Sequence, residues 1–192
     1  MQKKEFLEHG FQNANLRRIS SESGVSTGSI YTRFGDKAGL FSAVVKPAAD
    51  GLMELYLESI TAARESGDPA EATSQGNEGT ELVLKYIYEN FDVFKLIFCH
   101  SAGTEYEHYF DELAETEEKY YREFVKQFSR RENMVSDFFI HVICRTGWAY
   151  IYEGVSHDLS YDEAQIFMKS IREFCFAGWG KVLGQNYEDL GL

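Results

Sequence analysis

The chain has 192 residues, which is enough for one or two domains with a buried core. Hydrophobic residues make up 44% and aromatic residues 15% of the sequence, and this composition excludes a disordered protein. The net charge of −12 argues against a protein whose whole surface binds nucleic acid.

Charge is distributed unevenly along the chain. Residues 1–46 carry seven basic and four acidic side chains, a balance of +3. The remaining residues carry 12 basic and 27 acidic side chains, a balance of −15. A basic N-terminal segment on an acidic body indicates two tasks in one chain.

Several protein classes are disfavoured by local composition. No stretch approaches the roughly 20 consecutive apolar residues that span a bilayer, and the first residues lack the apolar region of a signal peptide. Cys99, Cys144 and Cys175 form no Cys-x-x-Cys pair, so neither a disulfide framework nor a zinc knuckle is indicated. We expect a cytoplasmic protein with buried, reduced thiols.

Helical signals begin at the N-terminus. A short apolar stretch around Phe6 is expected to end at Gly10, and Asn15 is a good N-cap for the helix that follows. Gly24 is expected to end that helix, and Ser26 to cap a short one from Thr27 to about Phe34. The sequence therefore predicts three short helices before residue 35.

A longer helix is predicted next, with Asp36 as its N-cap. Pro47 lies inside its apolar pattern and should kink the helix or divide it near Lys46, because proline removes one backbone hydrogen bond. The pattern fails near Gly67, and residues 67–79 are rich enough in Gly, Ser and Asn to predict a loop.

The rest of the chain has helical periodicity. Thr104 and Ser160 each precede an acidic residue by three positions, the arrangement of a capping box. Segments at about 80–101, 105–131, 134–157 and 160–184 are predicted to be long helices. We therefore expect an all-α protein, with a small N-terminal domain joined by a kinked helix to a C-terminal helical bundle.

Residues 16–34 have the spacing of a helix-turn-helix, with two short helices around a glycine-containing turn. The second helix of such a unit enters the major groove of DNA. Here that helix presents hydroxyl groups, an aromatic ring and a guanidinium but no carboxylate, and Gly28 would let the backbone approach a phosphate.

Residues 19–41, Ile-Ser-Ser-Glu-Ser-Gly-Val-Ser-Thr-Gly-Ser-Ile-Tyr-Thr-Arg-Phe-Gly-Asp-Lys-Ala-Gly-Leu-Phe, resemble the DNA-binding domain of TetR-type (TetR/AcrR) transcriptional regulators. The resemblance extends over residues 6–45. It implies a helix-turn-helix domain in residues 1–46 and a ligand-binding and dimerisation domain in residues 47–192. It further implies a homodimeric repressor that binds a palindromic DNA operator, is released by a small molecule, and has neither catalytic residues nor a cofactor.

The resemblance also implies roles for particular residues. Tyr31 and Lys37 would contact phosphates, and Val25, Ile30 and Phe34 would form the small core. The residues implied to face DNA are Arg17, Arg18, Thr27, Gly28, Ser29, Tyr31, Thr32, Arg33 and Lys37.

The chain departs from the family pattern at two places. Arg33 stands where the family often has histidine, which adds a charge at the groove. The family's first helix usually begins about two turns upstream of the position that Met1 allows, which indicates a truncated chain or a downstream start.

Aromatic residues crowd the predicted helices between residues 91 and 128, and most of them should pack in the core. Family resemblance implies a ligand pocket between the helices of residues 80–157. An acidic, aromatic-rich body favours a cationic or flat aromatic effector. The residues expected nearest the pocket are Phe94, Phe98, His100, His108, Tyr109, Phe124 and Trp148.

The last two predicted helices carry an apolar stripe, and the family builds its dimer interface from such helices. A two-fold dimer would place two recognition helices roughly 34 Å apart, one turn of DNA. The expected interface residues are Trp148, Ile151, Phe167, Ile171, Phe174 and Gly178.

Other functions were weighed against regulation. Glu105 and His108 are three residues apart, as in some helical metal sites, but no second pair accompanies them, so no metal is expected. No nucleophile–base pair accompanies the acidic residues Asp111, Glu112 and Glu115, which disfavours an enzyme. The alternative left open is a helical sensor or protein-binding module that has lost specific DNA binding.

Overall fold

The computed structural model describes residues 2–65, 68–129 and 135–184, and these residues form helices and connecting turns without a strand. The all-α prediction is confirmed. In chain order the elements are α1 (Gln2–Asn13), α2 (Leu16–Ser23), α3 (Thr27–Phe34), α4 (Lys37–Glu65), α5 (Pro69–Glu89), α6 (Phe91–His100), a 3₁₀ turn (Glu105–His108), α7 (Tyr109–Phe128), α8 (Asp137–Ser156) and α9 (Tyr161–Leu183).

Helices α1, α2 and α3 form a small unit, here called the head, whose boundaries follow local hydrogen bonds. Gly10 breaks the regular geometry of α1 with a φ of 68°. The Asn15 side chain accepts from the Arg17 N–H at the start of α2, and Gly24 ends α2 in the left-handed conformation. The Ser26 side chain accepts from the Ser29 N–H at the start of α3. The predictions for Asn15, Gly24 and Ser26 are confirmed, whereas α1 resumes after the break at Gly10 and ends at Asn13.

Helix α4 joins the head to the remaining helices, here called the body. The Asp36 carboxylate accepts from the Gly39 N–H at 2.8 Å, which confirms Asp36 as the cap. The helix continues from Lys37 to Glu65 with Pro47 inside it, so the alternative in which Pro47 divides the helix is wrong. A boundary after residue 46 would therefore lie within a helix, and the two-domain division stays a prediction.

A continuous core runs from the head into the body. Phe6 packs edge-on against Phe41 at 5.1 Å between ring centres, and Phe11 lies 5.5 Å from the same ring. Helix α1 packs against α6, so the head rests on the body as well as on α4. The buried set extends through Leu52, Phe94 and Trp148.

Two predictions for the body are wrong. The expected loop at 67–79 is helical from Pro69 onward, because the Asp68 carboxylate accepts from the N–H groups of Ala70 and Glu71 and proline tolerates the first helical position. The expected helix at 80–101 is divided at Asn90, whose side chain donates to the Tyr86 carbonyl at 3.0 Å. Residues 67, 130–131 and 134, which also belong to predicted segments, lie outside the described residues.

The two predicted capping boxes differ. Ser160 and Glu163 form a complete reciprocal box at the start of α9. Thr104 caps the 3₁₀ turn, but the Glu107 carboxylate accepts from the Gly103 N–H and not from Thr104. The capping box predicted at Thr104 is therefore wrong as to Glu107, which does not bond back to the Thr104 N–H.

The length and polarity of the helices bear on membrane insertion. Within the described ranges, no helix combines the length and the apolar character that crossing a bilayer requires.

Candidate nucleic-acid interface and ligand cavity

Helix α3 presents one polar face to solvent. Gly28, Ser29, Tyr31, Thr32 and Arg33 are exposed, and this face carries no carboxylate. Such a face can meet the acceptors of base edges and phosphates without charge repulsion.

Several α3 side chains are already engaged within the head. The Thr32 hydroxyl donates to the Gly28 carbonyl at 2.9 Å, and the Ser29 and Ser26 hydroxyls lie 2.8 Å apart. Thr27 is half-buried, and its hydroxyl lies 3.4 Å from that of Ser20. Thr32 therefore offers DNA its methyl group and a hydroxyl lone pair. The Arg33 guanidinium lies 5.3 Å from the centre of the Phe34 ring and donates no hydrogen bond to any described residue.

A groove lies between the start of α2 and the exposed face of α3. Its volume is about 670 Å³, and Arg17, Thr27, Tyr31 and Lys37 line it. Amide groups at a helix N-terminus, a phenol and an ammonium are the groups that bind a phosphate. The groove brings together four of the residues implied to face DNA.

Lys37 also has a structural role that the sequence did not predict. Its ammonium donates to the carbonyl oxygens of Gln12 at 2.9 Å and Ala14 at 3.2 Å, and lies 4.7 Å from the centre of the Phe11 ring. These carbonyls end α1 without helical partners, so Lys37 completes that end and keeps one donor for a phosphate.

Arg17 and Arg18 lie in different surroundings. Arg18 lies 3.4 Å from the carboxylate of Glu5 and 2.9 Å from the His9 ring. Glu5 is buried and accepts from the Asn15 N–H at 2.9 Å, so Arg18 neutralises a charge inside the head. Arg17 is exposed and has no side-chain partner among the described residues, which leaves it available to a phosphate.

The implied core of the head needs one correction. Ile30 is buried and Phe34 is half-buried, but Val25 is 41% exposed. Val25 lies in the turn between α2 and α3, where its carbonyl accepts from the Ser20 hydroxyl at 2.7 Å. The turn is therefore held by this hydrogen bond and not by burial of the valine.

The body contains a partly open cavity of about 610 Å³, large enough for a small organic molecule. Side chains of α4, α5, α7, α8 and α9 line it, and aromatic residues dominate its wall. The aromatic residues are Tyr56, Tyr120, Tyr121, Phe124, Phe139, Trp148, Tyr150, Phe174, Phe176 and Trp179.

Three buried polar atoms at this cavity have no hydrogen-bond partner among the described residues. They are the Tyr56 hydroxyl, the Glu117 Oε2 atom and the Trp148 Nε1 atom. Burial raises the pKa of Glu117 to about 8, and the neighbouring Trp148 and Tyr56 oppose this only in part. Because unpartnered buried groups are uncommon, this convergence points to a site for a ligand.

The predicted pocket residues are only partly brought together. Phe124 and Trp148 line the cavity, but Phe94, Phe98, His100, His108 and Tyr109 do not. These five lie on α6, on the 3₁₀ turn or at the start of α7. There α6 packs against α1, Phe94 is buried, and the Tyr109 hydroxyl donates to the Ala49 carbonyl at 2.7 Å. These five residues therefore lie outside this cavity, in a region that supports the head.

Glu117 was not among the predicted pocket residues, although its position in the sequence carries a signal. It follows Leu113 by four positions and precedes Tyr121 by four, so it stands in the apolar register of α7. A carboxyl at such a position is a candidate for a buried functional group. No comparable signal pointed to Tyr56 or Trp179.

The predicted interface residues also separate into two sets. Trp148 and Ile151 are buried inside the chain at 3% and 7% exposure, so they offer no surface to a second copy. Phe167 and Ile171 are half-buried, and Gly178 is exposed. Phe174 is 70% exposed, as is Ile166, which the sequence interpretation left out.

The candidate metal ligands Glu105 and His108 contact other side chains of the protein. Glu105 accepts from the Ser42 hydroxyl at 2.9 Å, and His108 lies 3.4 Å from Asp111. In the described part of the chain, no three His, Cys, Asp or Glu side chains lie close enough together to hold a metal ion.

Comparison with known proteins gives matches that cover part of the chain. Residues 3–44 match the family described as bacterial regulatory proteins, tetR family. The HTH-type transcriptional repressor AcnR of Corynebacterium glutamicum is 39% identical over 54 residues, which is 28% of this chain and 29% of that protein. AcnR of Corynebacterium efficiens has the same identity and coverage, and AcnR of Corynebacterium diphtheriae is 37% identical over 54 residues. The matched segment spans less than a third of each relative.

Proposed function

We propose that the protein is a transcriptional repressor, because residues 3–44 match the tetR family of bacterial regulatory proteins and a segment of the chain resembles known repressors. It binds a palindromic DNA operator as a homodimer and is released by a small molecule. It acts by binding alone and catalyses no reaction.

The observation that carries this proposal is the exposed, carboxylate-free face of α3 beside the groove at α2. Arg33 retains its donors for a guanine edge, and Arg17, Tyr31 and Lys37 surround a space that suits a phosphate. In this arrangement phosphate contacts position the head and α3 reads the sequence.

Dimerisation is supported by α9. Ile166 and Phe174 are large apolar side chains left in solvent on one helix, and Gly178 would allow a second helix to approach closely. A two-fold pair would present two α3 helices to successive major grooves, hence the palindromic operator.

Release by a ligand is supported by the path of α4. Tyr56, Ser59, Ile60 and Ala63 in its second half line the cavity, while its first residue, Lys37, contacts the head. A molecule that binds better when the heads are wrongly spaced must weaken operator binding by linkage.

The test begins with selection of preferred duplexes from random DNA by the full chain. We expect a palindromic sequence whose affinity falls steeply as salt rises. Arg33→Ala should weaken binding roughly tenfold or more and relax the preference at one position of each half-site. Lys119→Ala removes an exposed charge from α7 and should leave binding unchanged.

Equal binding to all duplexes would overturn the specific-repressor proposal. It would favour instead the helical sensor or protein-binding module. An Arg33→Ala variant that kept the wild-type preference would remove α3 as the reading helix.

A further inference from the structure

The cavity in the body holds an uncompensated acidic group. Among the described residues that line it, Glu117 and Arg172 carry the charged side chains. The Arg172 guanidinium donates to the Glu81 carboxylate at 2.9 Å, so its charge is already balanced from α5. The Glu117 Oε2 atom is enclosed and has no partner in the described part of the chain. A cationic ligand group placed beside this carboxyl would supply the charge that lets it ionise.

The surroundings of Glu117 suit an organic cation more than a hydrated metal ion. The Tyr56 and Trp148 rings meet edge-on at 5.0 Å, and the Tyr121 and Trp179 rings stack at 5.2 Å. Aromatic faces attract cations through their quadrupole and also accept apolar groups. A hydrated metal ion would lose its water shell against these rings and would gain no oxygen ligands in return.

The unpartnered atoms favour an amine over a quaternary ammonium. Glu117 Oε2 is an acceptor and the Tyr56 hydroxyl can accept, so both can receive an N–H donor from a protonated amine. A bound ammonium would keep Glu117 ionised, and the Trp148 N–H could then donate to the carboxylate. One ligand group thus accounts for all three atoms.

We propose that this cavity binds a protonated organic amine with an apolar body, its ammonium against Glu117 and its body among the aromatic rings. The volume of about 610 Å³ accommodates a molecule of several rings. The inference rests on the proposed function, since it names the chemical class of the effector, but the binding itself can be measured without DNA.

Three probes with one apolar body separate charge from shape. They are 4-phenylbutylamine, the neutral 4-phenylbutan-1-ol and the anionic 4-phenylbutyrate, titrated into the full chain by calorimetry at up to about 1 mM. We expect the amine to bind roughly tenfold or more tightly than the alcohol, because a charge-assisted hydrogen bond is added. The anion should bind most weakly. Amine binding that is absent, or no tighter than that of the alcohol or the anion, would overturn the inference.

A matched pair of variants locates the charge. Glu117→Gln should weaken amine binding roughly 10- to 100-fold and change alcohol binding by less than about threefold. Glu115→Gln makes the same substitution at an exposed position of α7 and should leave both probes unaffected. Wild-type amine affinity in Glu117→Gln, or an equal loss in both variants, would place the charge contact elsewhere and overturn the inference.

The operator experiment separates this inference from the proposed function. An amine that binds through Glu117 yet leaves operator affinity unchanged supports the site and contradicts its role in release. Release by the amine that persists in Glu117→Gln overturns the site and leaves the repressor proposal standing.

Discussion

A carboxyl group enclosed by aromatic rings is difficult to ionise, and Glu117 is in this situation. Burial raises its pKa to about 8, above its ordinary value of 4.5. Between these two values the folded chain holds a proton that the unfolded chain has lost. Stability therefore falls as pH rises through this window, because the unfolded state binds fewer protons.

We therefore expect Glu117→Gln to gain stability relative to the wild-type chain as pH rises. Relative to the variant, the wild-type chain should lose up to about 1.4 kcal/mol of unfolding free energy per pH unit between about pH 5 and pH 8. Urea denaturation of both proteins across that range measures the difference. Tyr56, Tyr121 and Cys144 face the same region, but burial raises the pKa of each further above its ordinary value, so they stay neutral there. A difference that does not change with pH would contradict the assignment.

The structural role of a residue could be predicted where its hydrogen-bond partner is close in sequence. It could not be predicted where the partner is distant. Asn15 and Ser26 cap helices through N–H groups two or three positions away, so their roles follow from local chemistry. Lys37 contacts Gln12, and Arg18 contacts the buried Glu5, across separations that no periodic pattern encodes. Glu117 stood in an apolar register, but its neighbour Trp148 comes from another helix.

Helix α5 shows how composition misleads at the scale of an element. Gly76 and Gly79 favoured a loop at 67–79, yet both are helical. A Cβ added to Gly79 would lie 2.8 Å from the Ser59 Cβ on α4, so glycine here allows two helices to approach closely. A Cβ at Gly76 meets nothing within 4 Å. Sequence shows the glycines but not the neighbouring helix that explains one of them.

This difference predicts opposite effects of one substitution in α5. Gly76→Ala should stabilise the chain by roughly 0.5–1 kcal/mol, because alanine loses less backbone entropy in a helix. Gly79→Ala should destabilise it by about 1–3 kcal/mol, because α4 and α5 must separate. Chemical denaturation of the two variants tests both signs, and stabilisation by Gly79→Ala would contradict the close approach.

Pro47 lies within α4 between the head and the cavity. Without an N–H, proline leaves the Ala43 carbonyl without its helical partner and weakens the helix at that point. We propose that α4 bends there when a ligand binds. Pro47→Ala should reduce the effect of 4-phenylbutylamine on operator affinity, measured by fluorescence anisotropy, while circular dichroism confirms an intact helix. If neither operator affinity nor release changes, Pro47 is no hinge.

At the scale of the whole molecule, basic and acidic charges are unevenly distributed along the chain. The net charge of −12 conceals +3 in residues 1–46 and −15 in the rest, so an acidic body would be repelled by the phosphates that the head attracts. Large exposed apolar side chains occur on several helices, and two of the most exposed, Ile166 and Phe174, lie on α9.

Disruption of the proposed dimer should follow from charge placed on α9. Phe174→Lys introduces an ammonium where a second copy would bury a ring, and we expect monomers by sedimentation velocity at micromolar concentration, with weaker operator binding. Leu82→Lys places the same charge at a similarly exposed leucine of α5 and should leave the dimer intact. A dimer that persists in Phe174→Lys would exclude this face of α9.

The length of α4 has a mechanical consequence. Its 29 residues extend about 43 Å at 1.5 Å per residue. A bend of about 15° at the proposed hinge, Pro47, would displace the first residue of α4, roughly 15 Å away, by about 4 Å, comparable to the rise of one base pair. Since Lys37 attaches the first turn of α4 to the last carbonyls of α1, the head would travel with it as a rigid body. An effector would then need to bend α4 only by this amount to shift α3 by about one base pair along the DNA.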